Sequence, residues 1–292
     1  MLPDQTLSVS SSGGQELLGP LDRPNIVCVL GMHRSGTSLL TRILNLMGVS
    51  LGPEDTLGNP RDGNPTGHWE LDEFMVLNDA ILTAFGGRWD SPPIFPSGWE
   101  SDPSLEAVKQ RAQTFIQDTF GKTEMWGWKD PRNCLTLPFW QQLLPNMRYI
   151  LCLRNPVDVA QSLADRDNFP TEKSSSLWLR YVSSALAHSK GQPRLIIFYE
   201  DLMDNWLIEL RRLAAFLGKP ERAEQVELQR AVRKFIDEGL QHHRTSIIST
   251  VAEPGVAGRA KALFIAQRVT ENFGRRRLIT GRIRRDRTLS DR

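Results

Sequence analysis

A short segment near the start of the chain combines residue types that bind phosphate or sulfate. Its members are His33, Arg34, Ser35, Gly36, Thr37 and Ser38. Arginine presents a planar fork of N–H donors that matches such anions, and each hydroxyl can donate a further hydrogen bond. A tight turn bounded by Gly31 and Gly36 would also aim backbone N–H groups at one point. These types at this spacing predict an anion-binding loop.

The segment differs from the nucleotide-binding motif that it most nearly matches. Gly31 and Gly36 have the G-x4-G spacing of a Walker A motif, yet Thr37 stands where that motif has its lysine. The cation lies inside the loop instead, at Arg34. A loop that surrounds its anion with N–H groups, a guanidinium and hydroxyls has less need of a metal, so we predict a metal-free site. An ordinary strand-to-helix turn is the alternative.

The residues on either side of the loop predict the elements that hold it. The run from Pro24 to Leu30 is apolar and rich in β-branched residues, which predicts a buried strand. The run from Leu39 to Met47 has apolar residues at helical spacing, and Gly48 predicts its end. A helix that begins directly after the loop adds its unpaired N–H groups to the anion site.

Three further apolar runs predict strands, and each ends in a polar cluster. They are Met125–Lys129, Arg148–Leu153 and 195–199. Amphipathic segments between them predict helices, around residues 74–85, 105–116, 157–163, 177–187 and 206–217. Strands that alternate with helices favour an α/β fold with a parallel sheet and helices on both faces. Ligands of such sheets bind at the carboxyl ends of the strands, where these polar clusters lie.

Length and composition fit one large domain with extensions. The chain has 292 residues, of which 40% are hydrophobic and 24% charged. We predict a flexible Ser/Gly-rich leader over 1–23, one domain over 24–272 and a basic tail over 273–292. Cys28 and Cys152 lie in strand-like runs, so we predict small core residues and no disulfide framework. The polar N-terminus predicts no signal peptide or membrane anchor, hence a cytoplasmic setting.

The tail carries most of the positive charge. From Arg275 onward, eight arginines face two aspartates, so this segment has a charge of +6 within a total of +2. Two interpretations remain open: a solvated tail, or an electrostatic contact with an anionic surface or polyanionic acceptor. We predict no nucleic-acid partner.

A second candidate anion contact identifies a resemblance. Arg154 follows a predicted strand, and Ser162 lies eight residues later in the next helix. Together with the first loop, this pair resembles the sulfotransferases that use 3′-phosphoadenosine-5′-phosphosulfate (PAPS), most of all their bacterial branch. The resemblance spans about 26–217 and implies a P-loop-like three-layer sandwich. It implies that residues 33–38 hold the phosphosulfate, Arg154 and Ser162 the 3′-phosphate, and Tyr199 the adenine side.

The chain departs from that family at two places. Lys129 matches a family lysine near the transferring sulfonate, but Pro131 stands where the small-molecule enzymes have their catalytic histidine. The family's Gly-rich C-terminal segment for the 3′-phosphate is not recognisable either. Residues 255–259 are a faint match, which makes Arg259 a weak candidate.

Another residue must therefore act as the general base that deprotonates the acceptor hydroxyl. Other branches of the family use a glutamate for this role. Glu70 is our first choice because it ends a long Gly/Pro-rich loop at the start of a predicted helix. A helix-dipole role is its alternative. His68 and Glu54 are the reserves. Alternatively, Lys129 and Arg132 form a local set of ion pairs with Asp130.

The sequence thus predicts a metal-free sulfotransferase that moves a sulfonate from PAPS to an acceptor hydroxyl. A glycan or glycolipid acceptor is inferred from five tryptophans in or near polar loops: Trp69, Trp89, Trp99, Trp126 and Trp128. A small-molecule acceptor stays open. Two rivals remain, a P-loop kinase of a small molecule or sugar, and a nucleotide- or sulfate-binding regulator without activity.

Overall fold

The computed structural model describes residues 25–57, 67–237 and 245–272. Their strands are β1 (Asn25–Leu30), β2 (Met125–Lys129), β3 (Arg148–Leu153) and β4 (Arg194–Phe198). The helices are α1 (Thr37–Leu46), α2 (Asp72–Ala84), α3 (Glu106–Phe120), α4 (Asn133–Leu143), α5 (Pro156–Asp167), α6 (Thr171–His188), α7 (Tyr199–Asp204), α8 (Trp206–Phe216), α9 (Val226–Asp237) and α10 (Ile247–Ala252). Residues 258–272 are also helical. The predicted leader and basic tail lie outside the described residues.

The strands form one parallel sheet in the order β2-β1-β3-β4. Residues 26–30 of β1 are at most 5% exposed, which is the pattern of a strand covered by helices on both faces. The predicted P-loop-like α/β sandwich is confirmed. Because all strands run the same way, Leu30, Lys129, Leu153 and Phe198 end at one edge of the sheet. The residues after them must therefore lie side by side.

A cluster of stacked aromatic rings fills the space beside β2. The Phe74 and Trp128 ring centroids are 5.1 Å apart, and those of Phe120 and Trp126 are 4.2 Å apart. Trp126 and Trp128 alternate with Gly127, so both point to the same face of the strand. They are only 1% and 2% exposed. These two tryptophans therefore belong to the core and cannot contact an acceptor.

Helix α4 had no counterpart among the predicted elements. Pro138 lies inside it, and a proline in a helix interior removes a hydrogen bond and normally ends the helix. Here the flanking residues Leu135, Leu137, Phe139 and Trp140 are at most 1% exposed. Their burial outweighs the local cost. Strand β4 begins and ends one residue before its predicted bounds, so Tyr199 is the first residue of α7.

Candidate active site

The loop between β1 and α1 turns through two residues with left-handed backbone. Arg34 has φ +66°, a conformation that costs a non-glycine residue about 1–2 kcal/mol. Gly36 has φ +82°, and a Cβ there would lie 2.1 Å from Cδ2 of Tyr199. Gly36 is therefore required both for the turn and for the close approach of the tyrosine ring. This strain is concentrated at the predicted anion loop, as is common for functional sites.

The loop meets the second predicted anion contact directly. Arg34 Nε donates to Ser162 Oγ at 2.8 Å, and Arg154 Nη1 donates to the carbonyl oxygen of Arg34 at 2.9 Å. The Arg154 guanidinium also lies over the Tyr199 ring, 4.6 Å from its centroid. Four residues that are far apart in the sequence thus form one cluster at the carboxyl edge of the sheet.

Positive charge is concentrated at this cluster. Burial lowers the pKa of Arg34, and the guanidinium groups of Arg166 and Arg154 lower it further, while the nearby Asp167 carboxylate offsets part of this effect. Like charges brought this close destabilise one another unless an anion lies between or beside them. The arrangement therefore suits a ligand with several negative charges. Arg166 was not among the predicted residues.

The loop also contains hydrogen-bonding groups that a ligand could engage. Ser35 is 1% exposed, and within the described part of the chain its Oγ has no hydrogen-bond partner. Thr37 and Ser38 stand in the first turn of α1, where backbone N–H groups lack partners inside the helix. A buried hydroxyl without a partner costs free energy that a bound anion would recover. The loop residues thus fit the phosphosulfate end of a PAPS-type donor.

His33 occupies a different environment from the rest of the loop. Its ring lies 4.5 Å from the ring of Trp89 and 5.8 Å from that of Tyr181, measured between centroids. Burial lowers its pKa well below the ordinary range, and the nearby cations Arg132 and Arg166 add to this effect. His33 is therefore a neutral imidazole at physiological pH, so it would contribute no positive charge to the binding of an anion.

The predicted base and the predicted sulfonate lysine are in contact. Lys129 Nζ lies 2.5 Å from Glu70 Oε2, and Lys129 is only 2% exposed. His68 Nδ1 lies 3.6 Å from the other carboxylate oxygen, Oε1, which is too long for a hydrogen bond. Burial raises the pKa of Glu70 above its ordinary value, and Lys129 offsets only part of that effect. Glu70 is thus a stronger base than an exposed glutamate.

The loop that carries Glu70 is held in a strained conformation. Trp69 has φ +55°, which is unusual for a bulky residue. The Arg42 guanidinium covers its ring at 4.1 Å, and the Phe235 ring packs edge-on at 6.1 Å. These contacts fix the chain direction between His68 and Glu70. Glu54, the other reserve base, is exposed and lies in a short 3₁₀ turn.

A buried polar network fixes the chain directly after Lys129. Asn78 is fully buried; its Nδ2 donates to Asp130 Oδ2 at 3.2 Å and to Asn133 Oδ1 at 2.8 Å. Its Oδ1 accepts from Thr136 Oγ1 at 2.6 Å and from Trp140 Nε1 at 2.9 Å. All four hydrogen-bonding positions of the amide are used, so α2 and α4 are joined beneath the strand end.

Arg132 completes this network. Its guanidinium pairs with Asp79 at 2.6 Å and with Asp130 at 3.1 Å. Burial alone would lower its pKa, but the two carboxylates outweigh burial and raise it. Arg132 therefore forms a local ion pair with Asp130, as the alternative to a role in the site predicted. That alternative does not describe Lys129, whose charge is paired with Glu70 from another segment.

The described residues offer neither a metal-ion cluster nor a membrane-spanning helix. Within the ranges described above, no group of three or more His, Cys, Asp or Glu side chains is placed to hold a metal ion. In the same ranges, no helix is long and apolar enough to cross a membrane. The weak candidate Arg259 is exposed, on a segment whose neighbour Ala257 donates its N–H to Ser175 Oγ at 2.8 Å.

Comparison with known proteins identifies the family of the chain. A sequence profile described as "Sulfotransferase family" matches residues 24–223. No curated protein sequence matches the chain. Sulfotransferase STF9 from Mycobacterium avium is 14% identical, with 87% of this chain and 77% of that chain covered and a TM-score of 0.48. A sulfotransferase from Alicyclobacillus acidocaldarius is 18% identical, with coverage of 82% and 95% and a TM-score of 0.42. Mouse sulfotransferase SULT7A1, complexed with PAP, is 20% identical, with coverage of 85% and 82% and a TM-score of 0.39.

The profile match extends from the first strand past α8, so it contains the anion loop, Glu70, Lys129, Arg154 and Tyr199. It covers well over half of the chain. This chain is a member of the sulfotransferase family.

Proposed function

We propose that the protein transfers a sulfonate group from PAPS to an acceptor hydroxyl. The observation that carries this proposal is the meeting of Arg34, Arg154, Ser162 and Tyr199 at one edge of the sheet. A donor with a phosphosulfate at one end and a 3′-phosphate near its ribose requires two anion contacts close together. The cluster offers both, next to an aromatic ring.

Each part of the donor has a group of residues that suits it. Residues 33–38 would hold the phosphosulfate through backbone N–H groups, hydroxyls and the Arg34 guanidinium. Arg154 and Ser162 would hold the 3′-phosphate, and Tyr199 would contact the adenine side. The donor supplies the sulfonate and a phosphate leaving group. We propose that no metal is needed, because protein cations and N–H groups can offset the negative charge.

Glu70 and Lys129 would perform the proton and charge chemistry. Glu70 would accept the proton of the acceptor hydroxyl, and its raised pKa suits a base that works near neutral pH. Lys129 lies at the end of β2, the strand paired with β1, and its charge helps to lower the pKa of His33 in the anion loop. There it can stabilise negative charge as it develops. His68 would orient Glu70 or the acceptor, and it remains the reserve base.

This arrangement favours a transferase over the rival functions. Pro131 cannot act as a base, but the Glu70–Lys129 pair supplies one within the same site. A P-loop kinase needs an acidic ligand for Mg²⁺ near the loop. Asp130, the acidic residue directly after β2, is engaged with Asn78 and Arg132.

For the acceptor, we propose a sugar hydroxyl on a glycan or glycolipid. Trp69 and Trp89 support it, since both are half-buried and lie beside Glu70 and His33 respectively. Trp99, at 6% exposure, stacks on Phe95 with centroids 4.0 Å apart and adds no support. The acceptor proposal therefore depends on two of the five tryptophans.

A thermal-shift panel with 3′,5′-ADP, ATP–Mg²⁺ and sulfate tests the donor. We expect 3′,5′-ADP to raise the melting temperature most, because it carries both phosphate positions of the donor. A larger shift with ATP–Mg²⁺ would favour a kinase and contradict the proposal. Transfer of labelled sulfonate from PAPS to a hydroxyl then separates an enzyme from a regulator that only binds the nucleotide.

A further inference from the structure

Arg166 is a positively charged residue near the anion loop, and it has no role in the donor contacts proposed above. It lies four residues after Ser162 on α5, so both side chains project from the same helix face. Since Arg34 Nε is bound to Ser162 Oγ at 2.8 Å, Arg166 is placed beside Arg34. Of the neighbouring charges, Arg166 lowers the pKa of Arg34 most.

Arg166 also faces the aromatic wall around His33. Its Cζ lies 5.6 Å from the centroid of the Trp89 ring, which in turn packs on His33. The side chain is 25% exposed, whereas Arg154 is buried. The Arg166 side chain is therefore accessible to a molecule that approaches from solvent.

The loop that carries Trp89 is fixed in place by α6. Tyr181 donates its hydroxyl to the carbonyl oxygen of Trp89 at 2.7 Å, and Arg180 Nη2 donates to that of Pro93 at 3.0 Å. Lys173 pairs with Asp90 at 3.0 Å. The Trp89 ring thus forms a fixed surface against which Arg166 can position a ligand.

Among the described residues, the contacts of the Arg166 guanidinium leave donors for a second anion. Its Nε and Nη2 both bind the same oxygen of Asp167, each at 2.8 Å. An arginine side chain has five N–H donors in a planar fork, so this contact uses two of them. The remaining donors match a carboxylate or sulfate group on a ligand.

We propose that Arg166 selects acceptors that carry an anionic group close to the hydroxyl to be sulfonated. This inference rests on the proposed transfer from PAPS. The anionic group of the acceptor binds the Arg166 guanidinium beside Trp89, and the hydroxyl is then directed toward Glu70. Arg166 is thus a specificity-determining residue, with an acidic hydroxylated molecule such as an acidic sugar as its ligand class.

Calorimetric titration of protein saturated with 3′,5′-ADP tests this proposal with two matched probes. Methyl β-D-glucuronide carries a carboxylate, and methyl β-D-glucoside is its neutral counterpart. We expect the wild type to bind the glucuronide at least about tenfold more tightly, the effect of one charge-assisted contact. Arg166→Ala should abolish the preference and leave 3′,5′-ADP affinity within about twofold, while Arg166→Lys should retain part of the preference because the charge remains.

Arg88→Ala is the control for charge. Arg88 lies in the same loop as Trp89 and pairs with Asp90 at 2.6 Å, but its side chain is 71% exposed. We expect this variant to keep the wild-type preference. An unchanged preference in Arg166→Ala, or no preference in the wild type, would overturn the proposal. A loss of 3′,5′-ADP affinity as large as that of Arg154→Ala would assign Arg166 to the donor instead. Failure of the wild type to bind 3′,5′-ADP is a separate result, and it would contradict the proposed function itself.

Discussion

Replacing Glu70 by glutamine is the sharpest test of the proposed chemistry. The substitution keeps the shape of the side chain and removes its basicity. Glu70 Oε2 lies 2.5 Å from Lys129 Nζ, and Oε1 faces His68. Loss of a general base typically lowers the rate about 10²–10⁴-fold, which corresponds to about 3–5 kcal/mol in the activation barrier. We expect a fall in kcat of this order with unchanged affinity for 3′,5′-ADP.

The same substitution perturbs a buried ion pair, so folding must be measured beside activity. Lys129 is 2% exposed and would lose its counterion. Breaking a buried pair costs about 3–5 kcal/mol of unfolding free energy. The glutamine amide oxygen still accepts a hydrogen bond from Lys129, so we expect a smaller loss. Urea unfolding of both proteins gives this value, and kcat is then compared at a temperature where both are folded.

The pH dependence distinguishes loss of a base from loss of folding. Burial raises the pKa of Glu70 above 4.5, and only the carboxylate form accepts a proton. Activity should therefore rise with pH through this raised pKa, and the rise should be absent in Glu70→Gln. The folded state binds this proton more tightly than the unfolded state. Stability from Glu70 is accordingly greatest below pH 4.5 and falls as pH rises from there through the raised pKa; Glu70→Gln should remove that decline.

A near-normal kcat of folded Glu70→Gln would show that Glu70 is not the general base. A loss of activity in His68→Asn at the same time would identify His68 as the base. The pair of variants thus decides between the first choice and its reserve. Affinity for 3′,5′-ADP serves as the control in both cases, because neither residue is assigned to the donor phosphates.

Three further substitutions test the elements around the donor. Arg34→Ala should abolish transfer while the urea midpoint changes little, since loop residues contribute little to the core; full activity without added metal would contradict the phosphosulfate assignment. Gly36→Ala should weaken 3′,5′-ADP binding at least about tenfold, because a strained backbone costs about 1–3 kcal/mol and the new Cβ would lie 2.1 Å from Tyr199; unchanged calorimetric affinity would show that the loop tolerates the clash. Asn78→Asp should lower unfolding free energy by about 1–3 kcal/mol at pH 7, because a carboxylate replaces the amide that donates to Asp130 at 3.2 Å; equal stability at pH 7 would contradict the network.

The sheet and the turn after β1 were predictable because local pattern determines them. The bounds of β2 and β3 are those predicted. Both strands are short apolar runs with polar clusters at their ends, and burial on both faces leaves little freedom for another structure. Gly31 and Gly36 likewise indicated a turn, and both have positive φ in the structure. Cys28 and Cys152 are buried core thiols, as predicted.

Features that depend on tertiary contacts were missed. Helix α4 was hidden by Pro138, whose local cost is outweighed only by packing that the sequence does not display. Arg166 looks like any arginine on the polar face of an amphipathic helix, and only its position beside Arg34 and Trp89 separates it from a solvated residue. The sequence did not separate core tryptophans from surface ones, because that separation depends on the strand order and on the aromatic cluster beside β2.

The candidate site was predicted in part. Glu70 and Lys129 were proposed separately, one from the loop-to-helix boundary and one from the family resemblance. Their direct contact across 59 positions is a result of the fold. The residues that replace the family's C-terminal 3′-phosphate segment remain unassigned, because no glycine-rich pattern in the sequence indicates them.

We propose above all that the protein recognises a donor with a 3′-phosphate through Arg154. Calorimetric titration of 3′,5′-ADP and 5′-AMP into the wild type and Arg154→Ala tests it directly. Arg148→Ala is a suitable control, since Arg148 begins β3, the strand that ends just before Arg154, and binds the carbonyl oxygen of Phe216 at 3.0 Å.

Loss of one charge-assisted contact costs about 1.5–3 kcal/mol. Arg154→Ala should therefore bind 3′,5′-ADP about 10- to 100-fold more weakly, with 5′-AMP affinity almost unchanged and Arg148→Ala like the wild type. An equal loss for both nucleotides, or no loss for either, would contradict the assignment of Arg154 and with it the proposed PAPS site.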